Sequence, residues 1–65
     1  MRDFQQRVVD EQKELDEKLS KLTGFTTTEA FTRLPQAEQH RLHTQRHIMS
    51  LYSLVLGQRI DSFTP

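Results

Sequence analysis

Between Leu42 and Phe63 the chain carries a ladder of alternating three- and four-residue steps: Leu42, Gln45, Met49, Tyr52, Leu56, Arg59 and Phe63. That spacing is the heptad of a helix packed along another helix. Ile48, Leu51, Leu54 and Val55 add apolar groups off the ladder. At 100° per residue the apolar positions from Leu42 to Phe63 sweep an arc of roughly 180°, wider than the ~100° stripe that a surface helix buries. One helical neighbour cannot cover such an arc. The surplus face must meet another chain, a membrane or a ligand.

Length sharpens that constraint. A chain of 65 residues lies at the low end of independently folding domains, where a single core supplies only a few kcal/mol. Small chains close the gap with disulfides, metals or oligomerisation. There is no cysteine, which excludes disulfides and thiolate metal sites and gives no sign of an oxidising compartment. Oligomerisation is the expected solution. Charged residues make up 28% of the chain, mean hydropathy is −0.72, and no apolar run approaches the ~20 residues of a membrane span. The start, MRDFQQRVVDEQ, lacks the apolar stretch of a signal peptide. A soluble, cytoplasmic protein is expected, with no membrane partner. A net charge of zero argues against binding duplex nucleic acid.

Phe4, Val8, Leu15, Leu19 and Leu22 share one helical face, and Thr23-Gly24 offers a stop with glycine just beyond it, so the first helix is expected over about 3–22. Thr26 stands three residues before Glu29, a capping-box spacing, with Phe25 and Ala30 placed as a hydrophobic staple. The connector 23–34 should therefore hold a short helical turn around Glu29 to Arg33. Pro35 suits the first position of a second helix running to about Phe63. No strand-period segment or repeat occurs. The fold class is all-α: a single domain, 1–65, folded as an antiparallel two-helix hairpin with a short helical connector and assembling into a homo-oligomeric bundle. Gly57, inside the second helix, costs about 1 kcal/mol relative to alanine and reads either as merely tolerated or as room for another backbone.

Polar residues interrupt both seams. With Phe4 and Val8 on the first helix's seam, Glu11 and Lys18 fall on the next alternate rungs. They read either as members of i,i+4 ion pairs, Arg7 with Glu11 and Glu14 with Lys18, or as an anion site in which Arg7, Lys18 and Lys21 present cations beside Phe4. Gln39 to Ile60 contains no acidic residue but holds Arg41, Arg46, Arg59 and three histidines. Arg59 lies among Tyr52, Leu56 and Phe63, where a guanidinium either pairs with Glu11 or Glu14 or grips a carboxylate or phosphate in bidentate fashion. Gln45 can set register.

His43 and His47 have the i,i+4 spacing of zinc ligands, but no glutamate lies between them and the wheel puts them opposite the apolar arc, so they read as solvated surface. No local Ser/His/Asp set, phosphate-binding glycine loop or enclosed acidic pair is evident. Catalysis, metal and cofactor are not expected.

Phe4-Gln-Gln-Arg-Val-Val-Asp-Glu, Glu14-Leu-Asp-Glu-Lys-Leu-Ser-Lys-Leu, Phe31, Leu34-Pro, Gln45, Met49, Tyr52 and Leu56-Gly-Gln-Arg-Ile together resemble small crAss-phage-related proteins. These are grouped with the helical-hairpin domain of viral anti-defence sponges, which sequester the cyclic oligonucleotide signals of bacterial CBASS and, in some members, the cyclic-ADP-ribose signals of Thoeris. The resemblance implies a homo-oligomer, a hexamer, with nucleotide pockets between protomers in the cytoplasm of an infected bacterial host. It also implies base stacking on Phe4, where the family often has tyrosine, and a phosphate contact from Lys18.

The expected function is a non-catalytic sponge for cyclic di- or trinucleotides or cyclic-ADP-ribose signals. Phe4 and Tyr52 serve as stacking platforms, Arg7, Lys18 and Arg59 meet phosphates, and Glu11 lies among them as a seam acid. The alternative is a structural or protein-binding oligomerisation hairpin without a nucleotide. A small DNA-binding regulator is the weakest reading, given zero net charge.

Overall fold

The computed structural model describes residues 3–63. Three helices follow one another: α1 (Asp3–Phe25), α2 (Glu29–Thr32) and α3 (Gln36–Asp61). α1 and α3 pack side by side and antiparallel, with Phe4 against Phe63 at one end and Gln12 against Ser53 further in. The result is a rod of 49 × 14 × 14 Å. Among the described residues there is no strand, and no helix is long and apolar enough to cross a membrane.

The helix ends depart from expectation for identifiable reasons. α1 does not stop at Thr23-Gly24. Gly24 keeps a negative φ and the helix runs on to Phe25. A left-handed glycine is unnecessary because three consecutive threonines close the end instead. The hydroxyls of Thr26, Thr27 and Thr28 each donate to the carbonyl three residues back, at 2.7 Å, a local alternative to helical bonding that favours termination. The Thr26–Glu29 capping box does not form. Thr28 caps α2, its hydroxyl accepting from the Phe31 amide at 3.3 Å. The expected Phe25–Ala30 staple gives way to an edge-on contact between Phe25 and Phe31, ring centroids 6.0 Å apart. Pro35 sits one position earlier than expected, as the N-cap of α3, and its carbonyl accepts from the amides of Glu38 and Gln39. Gln39 then ties the connector down by donating to the carbonyls of Thr32 and Leu34.

The largest correction concerns the seam. Residues at least partly withdrawn from solvent on α1 include Gln5, Val8, Gln12, Leu15, Leu19 and Leu22; on α3 they include Leu42, Arg46, Met49, Ser53, Leu56 and Ile60, with Phe63 just past its end. Both sets climb in three- and four-residue steps. Leu42, Met49, Leu56 and Phe63 are the expected rungs, but every rung between them is displaced by one residue. Arg46, Ser53 and Ile60 take the places given to Gln45, Tyr52 and Arg59, and Gln5, Gln12 and Leu19 those given to Phe4, Glu11 and Lys18. The wheel is thus rotated by a fraction of a turn. Ile60 in place of Arg59, and Leu19 in place of Lys18, put an aliphatic group where a charge would have been desolvated without a partner.

Gly57 explains how a glutamine is accommodated between the helices. A Cβ at Gly57 would lie 3.1 Å from Gln12 Nε2, and that same nitrogen donates to the Ser53 carbonyl at 3.2 Å. The glycine clears the path of a side chain rather than of another backbone. Ser53 in turn donates from its hydroxyl to Asp16 at 2.5 Å.

The interior remains small. Among the described residues only Val8, Phe31 and Leu56 are buried, with Leu56 at 0% exposure. Leu56→Ala should therefore lose about 2–5 kcal/mol, enough to abolish the cooperative transition of such a chain in thermal circular dichroism, whereas Lys13→Ala should stay within about 0.5 kcal/mol. Gly57→Ala should gain close to the ~1 kcal/mol helix-propensity difference in a Gln12→Ala background and clearly less in the natural sequence. Equal gains in both backgrounds by urea unfolding would remove Gln12 as the reason for the glycine.

Candidate functional site

Rotation of the seam moves all the candidate residues outward, but it moves them together. Phe4, Glu11 and Lys18 are seven residues apart on α1, as are Gln45, Tyr52 and Arg59 on α3, so each set forms a row along one side of its helix. The Tyr52 hydroxyl donates to the Glu11 carboxylate, which joins the two rows into one flank beside the seam. The antiparallel register then sets Arg59 level with Phe4, and Gln45 level with Lys18. Arg7 lies on the outer edge of the α1 row. All six expected site residues, Phe4, Arg7, Glu11, Lys18, Tyr52 and Arg59, are exposed on this flank.

Neither set of expected ion pairs forms. Among the described residues the ion pairs are Arg33–Glu29 at 3.4 Å and Arg41–Glu38 at 2.8 Å, both within one helical turn and on the surface. Arg7 does not reach Glu11, Lys18 does not reach Glu14, and Arg59 reaches neither acid. Glu11 is instead engaged by a neutral phenol. The flank thus keeps three cations free of carboxylate partners next to two aromatic rings, Phe4 at 47% exposure and Tyr52 at 44%. Phe4 is steadied by its edge-on contact with Phe63, centroids 5.7 Å apart at 81°, which leaves part of its surface open.

Spacing and surface shape limit what one chain can do. Lys18 is level with Gln45, and Gln45 is two heptads from Arg59, about 21 Å along the axis at 1.5 Å per residue. Lys18 and Arg59 of the same molecule therefore stand at opposite ends of the strip. Of two surface depressions among the described residues, one is lined by Gln36, Gln39, His40 and His43 and another by Asp10, Lys13, Glu14 and Glu17, and neither includes any of the six residues. The flank is an open strip with its cations at separate levels.

Arg46 is the residue that the sequence reading did not place on the seam. It occupies the seam rung assigned to Gln45, and its Nε is buried with no hydrogen-bond partner, an arrangement that costs on the order of 1–3 kcal/mol. Reading the ladder one residue later, 42–46–49–53–56–60–63, would have found it. The histidine face holds together in part: His40, His43 and His47 are exposed, yet the His43 ring also packs edge-on against Phe31, centroids 5.1 Å apart. No group of three or more potential metal ligands is found among the described residues.

No curated protein and no solved structure matches this chain. One family model does, Sequestin, over residues 2–62. That match takes in α1, the connector, α3 and every residue of the flank, and the chain belongs to the Sequestin family.

Proposed function

We infer that the protein is a non-catalytic phage anti-defence sponge that binds and sequesters cyclic oligonucleotide immune signals in pockets between protomers of a homo-oligomer. The observation that carries this reading is the flank: Arg7, Lys18 and Arg59 without carboxylate partners beside the exposed rings of Phe4 and Tyr52. A cyclic di- or trinucleotide presents flat bases and a ring of phosphates, which suit stacking platforms and guanidinium or ammonium donors respectively. The family's name supports a sequestering role. Cyclic-ADP-ribose signals offer the same two chemistries and belong to the same reading, as does an infected bacterial host's cytoplasm as the place of action. A hexamer follows from the resemblance set out above.

Tyr52 has two roles here. Its ring provides a stacking face, and its hydroxyl occupies Glu11, which keeps a carboxylate from facing the phosphates. Phe4 supplies stacking without a hydroxyl. Binding needs a second wall, since the flank of one chain is open, and protomer contact supplies it.

The competing reading, an oligomerisation or protein-docking hairpin without a nucleotide, draws on the exposed Ile48, Leu51, Leu54 and Val55 of α3. It assigned Lys18 to a pair with Glu14, a pair that the structure lacks.

Calorimetry with a panel of cyclic di- and trinucleotides and cyclic-ADP-ribose isomers should find micromolar or tighter binding to at least one. Silence across the whole panel sinks the sponge. For the binder, Lys18→Ala should weaken affinity at least tenfold, about 1.4 kcal/mol, while the unfolding midpoint barely changes because no ion pair is broken. Tyr52→Phe keeps the ring but frees the Glu11 carboxylate, and should weaken binding more at low salt than at high salt. Affinity unchanged by either substitution would remove the flank from the site.

A further inference from the structure

The outer face of α3 shows which partner it fits. Ile48, Leu51, Tyr52 and Val55 lie on it in three-, one- and three-residue steps, with exposures of 60%, 58%, 44% and 48%; Leu54, at 58%, lies on its border. Residues 47–58 contain no lysine, arginine, aspartate or glutamate. A helix that is apolar on nearly every side is one that is surrounded, and α1 covers only one side of this one. The stripe spans about two turns, too short to enter a bilayer as a span.

The order of the stripe is the same read from either end. Its centre falls between Leu51 and Tyr52, with Ile48 and Val55 equally far on each side and the polar Gln45 and Gln58 beyond them. A foreign partner requires no such symmetry, but a surface that packs antiparallel on its own copy does, because an isologous contact pairs residue i with j and j with i. Sliding the two helices by three or four residues either way sets at least one apolar position against a polar one. The centred register sets Ile48 against Val55 and Leu51 against Tyr52, twice over. A stable interface removes about 800 Å² from each partner, roughly one sixth of this chain's 5149 Å², which one long face of a 49 Å rod can supply.

We propose that α3 pairs with α3 of a second copy, antiparallel, about a two-fold axis passing near Leu51 and Tyr52. The four helices then lie in the order α1, α3, α3, α1. The Gln45–Tyr52–Arg59 row lies between the α1 seam and the stripe, so the flanks of both copies open on the same side of the pair. In the centred register Arg59 of one copy comes level with Thr44 of the other, and so with that copy's Lys18. The two cations then lie at one level on the open side of the pair, two helix spacings of about 8–10 Å each apart. The pairing stands on the stripe alone; only this consequence rests on the sponge reading.

The chain has no cysteine, so introduced thiols report the register directly. Without nucleotide, Leu51→Cys should form a disulfide-linked dimer. Ile48→Cys alone and Val55→Cys alone should not, since each is then about 10 Å along the axis from its own copy, beyond disulfide reach of ~7 Å between Cα atoms. Mixing Ile48→Cys with Val55→Cys should restore the cross-link. Sedimentation of the unmodified protein should show a dimer or a multiple of two. Self-linking of Ile48→Cys, which marks a parallel pair, overturns the proposal, as does a monomer or a mixture that fails to link. A nucleotide panel without a binder, alongside the expected cross-links, would sink the sponge and leave the pair standing.

Discussion

The reach of Gln12 across Gly57 to the Ser53 carbonyl sets the rotation of the two long helices, and most other features follow from it. With that amide between the helices, Gln12 rather than Glu11 faces α3, and Ser53 rather than Tyr52 faces α1. Glu11, Lys18, Tyr52 and Arg59 turn to the side, while Arg46 takes the rung of Gln45. Had Glu11, Lys18 and Arg59 stayed on the seam they would have been buried in need of partners, and burial of unpaired charge costs far more than a hairpin of this size can offset. The glutamine places one of its own amide donors on a helical carbonyl and carries no charge. It makes the rotated seam the less expensive one, and a flank rich in cations is its by-product.

The fold was legible where period and punctuation agreed. The absence of strand patterning, the two long periodic segments and the break around Thr23 to Pro35 are enough for a helical hairpin, because only one pairing of two such helices is available to a short connector. Rungs on which both ladders agree, Leu42, Met49, Leu56, Phe63, Val8, Leu15 and Leu22, were legible for the same reason: large apolar groups recurring every seven residues have one cheap place to go. The alternate rungs were not. At each of them two adjacent residues compete, Gln45 with Arg46, Tyr52 with Ser53, Arg59 with Ile60, and composition alone does not say which is nearer the partner. That choice depends on Gln12 and Gly57, forty-five residues apart in sequence, and on a side chain's path between helices. The threonine run failed similarly as a signal: Thr26, Thr27 and Thr28 offer three equivalent hydroxyls, and the register of the short α2 decides which becomes the cap.

The candidate site was legible as a set of residues but not as a place. Heptad spacing keeps Phe4, Glu11 and Lys18 together whichever way the helix turns, and likewise Tyr52 and Arg59, so their association survived the one-residue displacement. What changed is their surroundings, from a desolvated seam to an open flank. Charges on a flank face high dielectric and gain little from any single counterion. A ligand that uses several of them at once, beside aromatic faces, gains more, provided that something excludes water from the other side.

Two deficits of the single chain point the same way. α3 leaves an apolar stripe in water, and the flank leaves its cations on levels too far apart to act on one small anion. Either alone admits several remedies; an apolar stripe suits any hydrophobic partner, and isolated cations suit any solvent-exposed helix. A copy of the same chain covers the stripe, and the symmetry that does so opens both flanks on the same side of the pair. Sequestration asks nothing further of the protein. It requires tight ground-state binding, without the differential stabilisation of a transition state that catalysis demands.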